Sequence, residues 1–160
     1  MASRRSCSRP EKVLGDGAVS QNYFQKDPTM KYTASVEQAK ADPVMDFTMC
    51  LLHSVTNAHI LHLSTKSFSQ HMALGEFYGE IGDLVDSFVE AFQGKYGLLT
   101  SYKADYKLPG GPVEYMTYLK TEVETLRKAE GFPQDSELQN ITDEIAQLID
   151  STLYKLRFLS

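Results

Sequence analysis

The chain has 160 residues, with 16 basic against 21 acidic side chains and a formal net charge of -5. That length suits one domain with its own apolar core, and the acidic balance excludes a surface built throughout for nucleic acid. Two cysteines, Cys7 and Cys50, cannot make a disulfide framework, and no apolar run approaches the roughly 18 residues a membrane span needs. The basic N-terminus lacks the apolar stretch of a secretory signal, so a cytoplasmic setting is expected.

Residues 1–35 carry Ser, Gly, Asn, Gln and Pro with no sustained apolar period, and they predict a flexible N-terminal tail. Arg4, Arg5, Arg9 and Lys12 against Glu11 make its first dozen residues basic. Residues 36–160 predict an all-α domain, a four-helix bundle. The first helix is expected from Pro43 to Leu63, with Asp42 as its N-cap and Met45, Leu52, Val55, His59 and His62 at helical spacing. The second is expected from Ser67 to Gln93, with Leu74, Phe77, Ile81, Leu84, Val85, Phe88 and Phe92 as its apolar stripe and Gly94 and Gly97 at its end. A connection rich in Lys and Tyr follows, Lys95, Tyr96, Tyr102, Lys103, Tyr106 and Lys107, whose expected role is to wrap the bundle. A third helix should open near Gly111 and Pro112, show Met116, Leu119, Val123 and Leu126, and stop at Gly131 and Pro133. The fourth should open after Asp135 or Ser136 and show Leu138, Ile141, Ile145, Leu148, Ile149, Leu153 and Leu156. One long connection in the middle predicts an up-down-down-up bundle or a relative of it.

All four histidines fall between residues 53 and 71. His62 closes the first helix and His71 opens the second, so a short turn can bring them together. On the second helix Glu76, Glu80, Asp83, Asp86 and Glu90 lie opposite the apolar stripe, as a solvated face would. Gly75, Gly79 and Gly82 form one narrow stripe beside His71 and Asp86, and each costs about 1 kcal/mol relative to Ala in a helix interior. Such a stripe lets another helix approach closely, and the expected partner is the same helix of a second copy. Asp86 and Glu90 are one turn apart, where two carboxylates can share a metal. His71 and Asp86 are separated by about 22 Å along the helix, so they cannot ligate one ion from the same chain. An antiparallel crossing of two copies would bring His71 of one to Asp86 and Glu90 of the other. His53, His59 and Cys50 are expected to serve packing.

The run LHLSTKSFSQHMALGEFYGEIGDLVDSFVEAF resembles the core of the Dps-like mini-ferritins, which are ferritin-like four-helix bundles. His62, His71, Asp86 and Glu90 match that family's two histidines and two carboxylates. The interval from His62 to His71 is shorter than the family's usual twelve residues, Gly75 stands where the family has an Asp, and Leu63 stands where it has a Trp. The resemblance implies iron as Fe(II) and Fe(III), a ferroxidase centre between subunits with His62, His71, Asp86 and Glu90 as ligands, and a homo-oligomer of up to twelve subunits. In that setting the basic tail would touch DNA phosphates. The HLSTKS turn and the YGEIGDLVDS run are also similar to small proteins of tailed bacteriophages, and that similarity implies a host cytoplasm or a virion if the chain is phage-encoded. A second class stays open on Gly75: a metal-free helical structural or adaptor protein, for example of a phage particle, that keeps the bundle without the chemistry. No nucleophile elbow, phosphate-cradling loop or HExxH zinc motif is present.

Overall fold

The computed structural model describes residues 42–100, 102 and 110–159. The expected tail, residues 1–35, lies outside them. The described residues form four α-helices and no strand: α1 (Pro43–Ser64), α2 (Phe68–Tyr96), α3 (Pro112–Leu126) and α4 (Ser136–Phe158).

Local chemistry sets most of these ends. The Asp42 carboxylate accepts from the backbone N–H groups of Val44 and Met45 at 3.1 Å each, and Pro43 fills the first helical position. Ser67 caps α2 through the N–H of Gln70. Gly97 ends α2 with a φ of 97°, a conformation L side chains rarely adopt. Asp135 stands at the N-cap of α4 without capping it, because its carboxylate is held instead by Lys95 and Tyr96. α3 departs from expectation: it stops at Leu126, and the chain turns through residues 127–130 before Gly131 (φ 94°) and Pro133 are reached.

The core faces of α2, α3 and α4 follow their apolar stripes. Leu74, Phe77, Ile81, Val85 and Phe88 are buried on α2, with Leu84 and Phe92 packed against them. Met116, Leu119 and Val123 come from α3, and Leu138, Ile145, Leu148, Ile149, Leu153 and Leu156 from α4. On α1 the expected stripe is wrong. Met45 is buried, but Leu52 and His59 are exposed and Val55 and His62 only half-buried. The helix turns Val44, Phe47, Leu51, Ala58 and Leu61 inward, with Thr48, Ser54 and Asn57 among them. Two of these polar residues find partners inside. The Ser54 hydroxyl donates to the Leu51 carbonyl at 2.7 Å, and Asn57 Nδ2 donates to the Tyr115 hydroxyl at 3.0 Å, which ties α1 to α3.

α1 packs beside α2 and α3, and α4 closes the square against the same two helices. All four neighbouring pairs run antiparallel. Phe47 meets Phe88 at one end of the α1–α2 pair and His62 meets His71 at the other. Lys95 reaches Asp135 while Lys155 reaches Glu76, which fixes α2 against α4. Arg127–Asp143 and Lys120–Asp150 do the same for α3 and α4. The Asn57–Tyr115 bond sets the late part of α1 against the start of α3. In chain order the bundle is therefore up-down-down-up, with the 97–111 connection joining opposite ends. No helix of the described residues is long and apolar enough to cross a membrane.

At the lower end Lys95 bridges Asp135 at 2.6 Å and Glu137 at 2.8 Å. The hydrogen bonds Lys95 donates to Asp135 first and Glu137 second raise its pKa and lower both carboxyls, with a hydrogen bond from Tyr96 also lowering Asp135. Carboxylates held below their ordinary range add stability above that range and lose it as pH falls through the lowered values. A raised lysine adds stability below its ordinary range and loses it as pH rises through the raised value. The melting-temperature difference between the wild type and Lys95→Met should be greatest near neutral pH. It should shrink on acidification and again in strong alkali, as thermal melts across pH will show.

Candidate functional site

A three-residue turn, Thr65 to Ser67, joins α1 to α2 and is stitched by its own side chains. The Thr65 N–H donates to the Leu61 carbonyl at 3.0 Å, and its hydroxyl donates to Gln70 Oε1 at 2.7 Å while accepting from the Ser67 N–H at 3.2 Å. This closure places the His62 and His71 rings face to face, with centroids 3.6 Å apart and planes 24° from parallel. His62 Nδ1 lies 2.7 Å from the His71 carbonyl oxygen, and His71 Nδ1 lies 3.0 Å from that of His62. A carbonyl only accepts, so both Nδ1 atoms carry a proton and donate it. In a neutral ring that leaves Nε2 as a free lone pair, the arrangement in which a backbone-tethered imidazole binds a metal.

Tyr78 and His59 extend the cluster. The Tyr78 ring stands edge-on to His62 at 5.1 Å and stacks on His59 at 4.4 Å. His59 thus packs against Tyr78 at the surface, not inside the core. Gly75 eases the pairing, because a Cβ there would stand 3.2 Å from His62 Cε1 and 3.3 Å from His62 Nδ1 and the ring would have to give way slightly. The residue that departs from the mini-ferritin pattern is the one that admits the His62 ring. Gly79 and Gly82 differ, since a Cβ on either meets nothing within 4 Å.

Asp86 and Glu90 are exposed farther down α2, and neither has a hydrogen-bond or ion-pair partner among the described residues. The structure brings His62 and His71 together and leaves the two carboxylates apart from them. No group of three or more His, Cys, Asp or Glu side chains among the described residues of a single chain could hold a metal ion. Any ion at the histidine pair would need further donors from elsewhere. Cys50 is half-buried against the core, and burial, followed by the negative charge of Glu122, pushes its thiol up to about 12. Without a metal it therefore stays protonated at neutral pH. Lys95 and Tyr96 belong to the last turn of α2 and bind α4, whereas Lys103, Tyr106 and Lys107 lie outside the described residues.

The sequence reading found the two histidines and missed Tyr78 as the ring that stands against His62. Its spacing of seven residues from His71, two helical turns, was the available signal.

An all-α four-helix bundle with a backbone-tethered histidine pair at its α1–α2 turn is the class this fold and site define. The chain belongs to a family of unknown function, DUF5856, which it matches over residues 62–156. That span starts at His62 and contains His71, Gly75, Gly79, Gly82, Asp86 and Glu90. No curated protein and no solved structure matches the chain.

Proposed function

We propose that this chain is a ferritin-like protein of the Dps type that takes Fe(II) at a site shared by two copies. His62 and His71 of one copy and Asp86 and Glu90 of the other supply the ligands. The observation that carries this reading is the reciprocal pair of Nδ1–H···O=C bonds, which presets both histidines with Nε2 free. Imidazole with carboxylate and open positions suits Fe(II) and its reaction with an oxidant. The iron is substrate here: two Fe(II) ions and two protons reduce one peroxide to two waters and leave two Fe(III) for storage as mineral. Oxygen can take the place of peroxide. The single crossover between α2 and α3 is also the connectivity of ferritin-like bundles. A closed homo-oligomer of up to twelve chains, a host-cytoplasm or virion setting, and contact of the basic tail with DNA phosphates belong to the same proposal.

The test is anaerobic Fe(II) titration of the full chain, then peroxide addition followed optically, with Asp86→Ala/Glu90→Ala in parallel. Both residues are exposed, so the variant should keep its fold. The reading expects tight binding and rapid oxidation in the wild type and the loss of both in the variant. A folded wild type that binds no Fe(II) would sink it.

A second reading rests on the ring geometry itself. His62 and His71 cover one another's faces, and Gly75 offers no carboxylate, as in a hairpin whose histidines serve packing alone. Under it the chain is a metal-free structural or adaptor protein, for example of a phage particle, and iron has no effect on it.

A further inference from the structure

We propose that the groove between α3 and α4 binds a small aromatic carboxylate, with Arg157 taking the anion and the Tyr154 and Phe158 side chains taking the ring. The site is built from helices other than the histidine hairpin and does not depend on iron.

The groove follows from side-chain spacing. Thr117, Lys120, Thr121 and Glu124 stand three and four residues apart and form one stripe of α3, and Asp150, Leu153, Tyr154 and Arg157 do the same on α4. The two stripes line a groove of about 370 Å³, within the roughly 300–1,000 Å³ usual for small-molecule sites. The α3 threonines are short, which leaves the groove open above Leu153, an apolar floor only 4 % exposed.

Arg157 differs from the other cations of the bundle. Lys95, Lys120, Arg127 and Lys155 each meet a carboxylate. Arg157 meets a hydroxyl instead: its Nη2 donates to Thr117 Oγ1 at 2.9 Å, and that hydroxyl donates in turn to the Val113 carbonyl at 2.6 Å. The Thr117 proton is thus committed to Val113, and its oxygen accepts from Arg157. This tether holds the guanidinium across from α4 to α3, with most of its N–H fork unused and no carboxylate partner among the described residues. A guanidinium fixed in this way is set to receive a carboxylate. Tyr154 and Phe158, one helical turn apart, adjoin it with ring centroids 5.6 Å apart and are 55 % and 71 % exposed. One ligand carrying both a flat ring and an anion satisfies the rings and the cation together.

The groove also limits what enters it. Two bridges cross from α3 to α4, Lys120–Asp150 at 2.6 Å and Thr117–Arg157 at 2.9 Å, at most about 10 Å apart along α4. A peptide laid along the groove would run into both, so the occupant is a small molecule. Lys120 has no charge to spare, because Asp150 and Glu124 both engage it. The excess negative charge at that end directs the anion to Arg157.

Naphthoate is the probe and naphthamide its neutral counterpart, each titrated into the full chain in EDTA and followed by calorimetry. The variants are Arg157→Gln, Tyr154→Ser and, as a control, Lys66→Gln at the α1–α2 turn. All three positions are exposed, and circular dichroism will confirm that each variant is folded. Naphthoate should bind the wild type at one site per chain. Naphthamide on the wild type, and naphthoate on Arg157→Gln, should each bind about 10-fold more weakly, as loss of a charge-assisted bond predicts. Tyr154→Ser should weaken naphthoate about 3- to 10-fold, and Lys66→Gln should leave it unchanged. A folded wild type that binds no naphthoate would overturn the inference, as would naphthamide binding as tightly as naphthoate. Wild-type affinity in Arg157→Gln or in Tyr154→Ser would overturn it too. So would a loss in Lys66→Gln equal to that in Arg157→Gln, because the anion would then answer to surface charge at large.

Discussion

Phe88→Ala is expected to destabilise the bundle by about 3–5 kcal/mol, a large share of the roughly 5–15 kcal/mol that holds a domain of this kind together. Phe88 is fully buried, 4.9 Å from the Phe47 ring and 5.8 Å from the Phe132 ring, and Phe47 and Phe132 stand edge-to-face at 5.1 Å. These rings come from α2, from the first turns of α1, and from the α3–α4 connection. Phe88 contacts both other rings, so its removal loosens three parts of the chain at once. Phe47 is held by a helix whose first turn Asp42 caps, so it cannot follow the cavity inward. Urea unfolding will show the loss as a lower midpoint at unchanged slope. A shift worth less than about 1 kcal/mol would mean that Phe132 collapses into the space, since such costs depend on how well a site can close.

The glycines of α2 should behave in two opposite ways. Gly79→Ala and Gly82→Ala gain about 1 kcal/mol each in helix propensity and meet no neighbour, so in chelator, on single chains, both should melt higher. Gly75→Ala gains the same propensity but sets its methyl against the His62 ring. That ring has no easy retreat, with His71 stacked on it, Tyr78 at its edge, and its Nδ1 bonded to the His71 carbonyl. Gly75→Ala should therefore show no gain in stability. If the proposed iron site is right, its Fe(II) affinity should fall about 10- to 100-fold, the usual cost of disturbing the bonds that orient a metal-binding histidine. Anaerobic calorimetry measures this directly, and wild-type affinity in Gly75→Ala would show that the ring adapts freely.

The contrast between α1 and the other helices shows what the sequence can carry. α2, α3 and α4 each set apolar residues on one side and charges on the other, and their stripes became the core face. α1 has Leu52, Ile60 and Leu63 outside and Thr48, Ser54 and Asn57 inside. Its inward side is therefore legible only once Tyr115 is known to meet Asn57. The end of α3 was misread for a related reason. Gly131 and Pro133 are strong stop signals, but they close the turn that follows the helix. At the site, the meeting of His62 and His71 follows from a short turn between helices. The ring stacking, the exchanged carbonyl bonds and the fit of His62 over Gly75 depend on how closely two helices pack, which spacing along one chain does not encode. The pattern also read Gly75, Gly79 and Gly82 as one stripe with one purpose. The structure separates Gly75, which faces a ring of its own chain, from the two that face outward.

The exchanged bonds between His62 and His71 also have a kinetic meaning. Each joins residues nine positions apart, and a loop of that size closes in about 10–100 ns. The α2–α4 ion pairs must bridge Lys95 to Asp135 and Glu76 to Lys155, separations of 40 and 79 residues. Closing such loops costs more chain entropy before any contact returns it. The α1–α2 hairpin, like the α3–α4 hairpin with Arg127 and Asp143 only 16 positions apart, can thus form on local contacts before α2 and α4 meet. His62 and His71 would then be among the first residues of the chain to find one another.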